Sequence, residues 1–175
     1  MDFLKLVEAV LDGYVLEWDG IHGIGHWCRV LENGLRLADA TGANRDIVTL
    51  FAVFHDARRF NENDDPEHGR RGAELAESLR GSLFKLGDDD FALLQHACTW
   101  HTSGLTEGEI SVQCCRDADR LDLGRVGMEP EPQFLCTDHA KSKSMRRWID
   151  GRGRMEFIPE LIRPLWELRQ RQSRR

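Results

Sequence analysis

The run Ile47-Val48-Thr49-Leu50-Phe51-Ala52-Val53-Phe54-His55-Asp56 is apolar and closes on an imidazole beside a carboxylate. Ile47, Leu50, Phe51 and Phe54 recur at the spacing of one helix face, which predicts a buried stripe. Asn44 stands ahead of it as a candidate N-cap, so a helix is expected over residues 45–57. Consecutive helical residues point about 100° apart. Both His55 and Asp56 can therefore reach one ion only near a helix end, and they sit near one. An imidazole with a carboxylate suits a borderline divalent metal such as Mn, Fe, Co, Ni or Zn. The plainer alternative is an aspartate hydrogen-bonded to a surface histidine.

The same helical spacing continues on both sides. Phe3, Leu4, Val7, Val10, Leu11 and Val15 predict a first helix, and a loop follows at residues 20–25. A second helix is expected over residues 26–40, stopped by Gly42. The polar run Asn61-Glu62-Asn63-Asp64-Asp65 reads as a loop. Pro66 then opens a helix to about residue 80 with Asp65 as its cap. Asp88-Asp89-Asp90 precedes a helix over residues 91–101, where negative charge favours a helix N-terminus. Further helices are expected near residues 108–123 and 158–171, with residues 124–133 irregular between them. Residues 112–115 would pass for a strand, but they stand alone. The fold class is all-α, in one compact helical domain over residues 1–175.

Composition narrows the function. An apolar share of 41% with 31% charged residues fits a water-soluble globular chain. No apolar run approaches a membrane span and no signal pattern opens the chain, so a cytoplasmic location without a membrane partner is expected. The net charge of −6 without a basic stripe argues against duplex nucleic acid. Arg169, Arg171, Arg174 and Arg175 read as a solvated terminus. Five cysteines, an odd number without CxxC spacing, exclude a disulfide framework and a zinc knuckle. Cys114-Cys115 reads as a pair of small core residues.

Histidines and acids recur beyond the pair. His26 opens a helix, with His22 four residues earlier in His22-Gly23-Ile24-Gly25-His26. Arg116-Asp117-Ala118-Asp119-Arg120-Leu121-Asp122 packs three carboxylates into one short stretch. A histidine, then His-Asp, then Ala-Asp-Arg-Leu, in that order, resembles the HD superfamily of metal-dependent phosphohydrolases over roughly residues 20–130. The resemblance implies that His26, His55, Asp56 and Asp119 are metal ligands. Asp119 is preferred to Asp117 because it follows a small residue and precedes a basic one and a leucine. Asp117 and Asp122 are left as supporting groups or surface charges. His68 in His68-Gly69 followed by Gly72-Ala73, and His101 in His101-Thr102-Ser103-Gly104, resemble elements of the family's bimetallic branch. There the two histidines hold a second metal and the carboxylate matching Asp56 bridges the ions; here a clipped loop separates Asp56 from His68.

The resemblance further implies one or two divalent ions (Mn, Fe, Co, Ni or Zn, with Mg admissible). It also implies hydrolysis of a small phosphate ester or anhydride, nucleotides leading. A metal lowers the pKa of its water and supplies hydroxide near neutral pH. Phosphate contacts are sought among arginines adjoining ligands: Arg58, Arg59, Arg70, Arg71 and Arg120, with Arg59 and Arg120 preferred. Glu67 is a candidate proton shuttle, His22 a candidate substrate contact, and Asp56 the central catalytic carboxylate. His96 and His139 read as packed or surface groups, and Trp27 and Trp100 as core rather than base-stacking rings. Two alternatives keep the scaffold: a di-iron oxygenase and a non-catalytic nucleotide sensor.

Overall fold

A computed structural model describes residues 2–153 together with Glu160 and Arg163. Among these residues there are eight α-helices and no strand; a lone bridge joins Arg80 and Phe84 beside the turn at Gly81. The expected all-α class is what the chain adopts. None of these helices is long and apolar enough to cross a membrane. Apart from Glu160 and Arg163, the helix expected over residues 158–171 lies outside the described residues.

Helix α1, Phe3–Leu11, is capped by Asp2 and buries Leu6, Val7, Val10 and Leu11. It stops short of Val15, which is exposed. Helix α2, Ile24–Thr41, ends where Gly42 takes a left-handed φ of 78°. Helix α3, Arg45–Phe54, is capped by Asn44, whose side chain accepts from the amides of Asp46 and Ile47. It is buried on nearly every side, from Ile47 to Phe54, and forms the axis of the core. His55 is its C-cap.

Helix α4, His68–Leu79, begins later than Pro66 suggested. Asp65 is not its cap; the carboxylate accepts from the Phe60 amide at 2.8 Å and pairs with Arg71 at 2.5 Å, closing the 60–65 loop on itself. Helix α5, Asp88–Trp100, takes the three aspartates into its first turn, and helix α6, Ile110–Arg120, includes residues 112–115, which are helical, with Val112, Cys114 and Cys115 buried. Cys114 and Cys115 lie in the core, and all five cysteines are free thiols. Residues 124–133 are irregular apart from two short 3-10 turns at Leu123–Val126 and Pro132–Phe134. Two short helices, α7 (Asp138–Lys141) and α8 (Lys143–Ile149), were not foreseen. Asp117 secures that segment: fully buried, it accepts from the Cys136 amide, the Thr137 amide and the Thr137 hydroxyl at 2.6–2.8 Å.

Helix α2 packs on α3 and α6, and α4 packs on α5, with α3 between the two groups. Glycines bring α4 in close. A Cβ on Gly72 would collide with the Phe54 carbonyl at the end of α3, and one on Gly69 with the Cys98 carbonyl near the end of α5. Only glycine lets one helix start against the backbone of two helix ends. The consequence is that the ends of α3, α4 and α5 meet at one place.

Candidate metal centre

That meeting place collects the histidines. His26 comes from the first turn of α2, His55 and Asp56 from the end of α3, and His68 from the first residue of α4. His101 caps α5, and Asp119 lies in the last turn of α6. Helix ends free consecutive residues from the 100° separation of a helix interior, which is how His55 and Asp56 address one point.

The hydrogen bonds on the far side of each ring fix what the near side presents. His26 donates from Nδ1 to Asp122 Oδ2 at 2.7 Å, and His55 to the Phe51 carbonyl at 3.1 Å. His68 donates to the Asp65 carbonyl, and His101 to the Cys98 carbonyl at 2.7 Å. When such a ring is neutral, these bonds place its proton on Nδ1 and leave the Nε2 lone pair facing inward. Those Nε2 atoms face each other in two pairs, His26 with His55 and His68 with His101, both at 3.0 Å.

Asp56 joins the pairs. Its Oδ2 lies 3.5 and 3.6 Å from Nε2 of His26 and His55, and its Oδ1 lies 3.2 and 3.8 Å from Nε2 of His68 and His101. Asp119 Oδ1 completes the first group, 3.4 Å from His26 and 3.9 Å from His55. Facing lone pairs and carboxylates repel unless a cation lies among them. Ligand atoms about 2.0–2.2 Å from one ion stand roughly 3 to 3.6 Å apart; most of the separations here lie in that range, and two, 3.8 and 3.9 Å, lie just beyond it. Two sets of atoms, His26/His55/Asp56 and Asp56/His68/His101, are thus compact enough to hold a metal.

The sequence matches the family model for the HD domain over residues 23–124. This chain belongs to the HD-domain family. A solved structure from an uncultured Thermotogales bacterium, described as a predicted HD superfamily hydrolase, shares the fold with a TM-score of 0.62 and 24% identity. The match covers 86% of this chain and 83% of that one. No curated protein matches.

The electrostatics of this HD centre favour cation binding. Burial, and the charge of Arg125, push the His26 imidazole down, yet hydrogen bonds to Asp119, Asp122 and Asp56 prevail and raise it to about 9. Burial carries His55 down to about 3, so it stays neutral, and burial lowers His101 as well. Burial alone would raise Asp56, but its electrostatic coupling to the adjoining His55 and its hydrogen bonds with His26 and His68 hold it well below the usual carboxylate range. Asp119 is likewise held down, by His26 first and then Arg125.

Other residues divide between the centre and the periphery. Arg59 is buried against the HD pair, its Nη1 donating to Asp56 Oδ1 and His68 Nε2, both at 3.2 Å. His22 lies beside His26, with ring centroids 6.2 Å apart, and is held by Glu62 at 2.5 Å. Asp122 is buried and takes the supporting role, bonding His26 while Arg29 grips it from the other side at 2.7 Å.

Glu67 and Arg120 are placed elsewhere. Glu67 precedes α4 on its exposed side and pairs with Arg70 at 2.7 Å. Arg120 directs both terminal nitrogens to the carbonyls of Phe134 and Leu105, bracing two loops. Arg58 bonds the Val10 carbonyl and Arg71 holds Asp65, so neither belongs to the centre. His96 is exposed beside Arg116, and His139 is part-buried in α7. Trp27 is core, edge-on to Tyr14, whereas Trp100 is half exposed. Arg125 went unforeseen: it bonds the Ile21 and Asp122 carbonyls and brings Nη2 to 3.9 Å from Asp119 Oδ1. It stands in the short 3-10 turn Leu123–Val126, where the sequence is expected to be irregular and offers no motif to single it out.

Proposed function

We propose that this chain is a metal-dependent hydrolase of small phosphate esters or anhydrides, with nucleotides as the leading substrates. One observation carries the proposal: inward-facing Nε2 lone pairs converge on the two oxygens of Asp56. Histidine lone pairs with carboxylates suit a divalent transition metal, and His26, His55, Asp56 and Asp119 would hold it. Such an ion supplies a water of lowered pKa and polarises a phosphoryl oxygen.

The chain's own residues account for binding and orientation. Asp119 keeps 17% of its side chain open to solvent, while the side chains of His26, His55 and Asp56 are at most 2% exposed. Substrate therefore approaches along the Asp119 edge. Arg125 lies beside Asp119 and Arg59 beside Asp56. Two guanidinium groups flanking the carboxylates match the oxygens of a phosphoryl group and offset charge that grows on them during transfer. His22, fixed by Glu62, lies near the same ligands and is assigned to the substrate's remaining surface. Asp56 spans both histidine pairs and is the carboxylate on which the centre depends.

The test is metal analysis of the purified chain followed by a hydrolysis screen over nucleotides and sugar phosphates. Bound transition metal with phosphate release that stops on chelation is expected. A metal-loaded chain that releases no phosphate from any member of the panel would defeat the proposal.

A further inference from the structure

The Asp56/His68/His101 set differs from the His26/His55 set in that a guanidinium already donates to its inward-facing atoms, whereas Arg125 stands 3.9 Å from Asp119 Oδ1 beside the other set. Arg59 Nη1, Asp56 Oδ1 and His68 Nε2 form a nearly equilateral triangle with every side 3.2 Å. The guanidinium donates to the same two lone pairs that an ion at this set would need.

Arg59 is also held there independently of those two contacts. Its Nη2 donates to the Asn63 carbonyl at 2.7 Å and its Nε to the Asn61 carbonyl at 3.3 Å. The residue is 6% exposed. The 60–65 loop that supplies those carbonyls is closed in turn by the Asp65 bonds to Phe60 and Arg71. Displacing the guanidinium means breaking four hydrogen bonds and finding a new place for a buried charge. Leaving it in place sets a cation against any ion bound to Asp56 Oδ1 and His68.

We propose that Arg59 is the second cation of this centre. The chain holds one divalent ion, at His26, His55, Asp56 and Asp119, and the guanidinium occupies the Asp56/His68 edge where a second ion would bind. The inference rests on the metal-centre reading above. It deepens that reading by giving the second positive charge to a side chain, which remains when metal is scarce. His68 then serves to position Arg59 and Asp56, through the lone pair that accepts from Nη1.

Equilibrium dialysis of the full chain against Mn2+, with metal counted per chain, tests this. The wild type is expected to take up one ion with high affinity, and His68→Ala is expected to keep that count. In Arg59→Gln the charge is gone while a donor remains for the loop carbonyls, and affinity for a second ion is expected to rise at least tenfold. Two ions of comparable affinity in the wild type, falling to one in His68→Ala, overturn the inference and leave the metal centre standing. An unchanged count in a folded Arg59→Gln also overturns it. No bound ion in the wild type removes the metal-centre reading itself, and this inference with it.

Discussion

Asp122 Oδ2 lies 2.7 Å from His26 Nδ1, and the same carboxylate is gripped by Arg29 at 2.7 Å. The chain therefore holds the His26 ring in place through a buried ion pair reaching from just beyond α6 back to α2. Its burial alone would raise the Asp122 carboxyl, but His26 and Arg29 hold it below its ordinary value. Carboxylates behind ligand histidines are worth about 10–100-fold in metal affinity. Asp122→Asn retains an acceptor and loses the charge, and is expected to weaken metal binding within that range. Metal titration of the variant checks this, and wild-type affinity would show that Asp122 only braces the helices.

Among the described residues, Asp56 is the one whose oxygens reach both histidine pairs. Asp56→Ala is expected to lose metal binding and turnover together. The helices should survive, because their packing rests on the apolar face of α3 rather than on this carboxylate. Circular dichroism alongside metal analysis separates the two effects. Metal retained at the wild-type level would remove Asp56 from the ligand set.

How legible the centre was in the sequence follows from helix geometry. His26, His55, Asp56, His68, His101 and Asp119 all sit near helix ends, where short strings carry the information. Arg120 failed as a guide because it directly follows Asp119 on a helix, and neighbours there diverge by about 100°. Arg59 lies three residues past Asp56, beyond the end of α3, and the chain turns it back onto that carboxylate. Asp117 and Asp122 looked alike in sequence. Only packing separates them: Asp117 meets α7, a helix too short to foresee, and Asp122 meets α2. The start of α4 was placed too early because Asp65 and Pro66 look like a cap and first turn, while Asp65 is committed to Phe60 and Arg71.

Gly72 gives a prediction about the scaffold. A methyl group there would run into the Phe54 carbonyl, next to His55. Backbone cannot yield as a flexible side chain does, so α4 must move away from α3. Overpacking of this kind costs about 1–3 kcal/mol, and Gly72→Ala is expected to lose stability in that range in denaturant unfolding. The same movement carries His68 away from Asp56. Gly42→Ala is the contrast: it meets no atom, and its cost comes only from the left-handed φ of 78°. Unchanged stability in Gly72→Ala would mean that α4 does not lie as close to α3 as described.

Proton competition yields the last prediction. In the metal-free chain His26 is raised to about 9, so near pH 7 it carries a proton that an incoming ion must displace from Nε2. His55, lowered to about 3, gives up none. Apparent metal affinity is therefore expected to rise about tenfold per pH unit from pH 7 towards 9 and then level off. Calorimetry in buffers of different ionisation enthalpy should detect close to one proton released per ion at pH 7. The sign for stability follows from the same shift. A histidine raised in the folded state stabilises the metal-free chain fully below its unfolded value near 6.5, and that contribution is lost as the pH climbs through 9. Bound metal replaces the proton and should flatten this dependence. Metal affinity that stays constant between pH 7 and 9 would show that His26 enters the centre already neutral, and that the carboxylates around it do not hold a proton there.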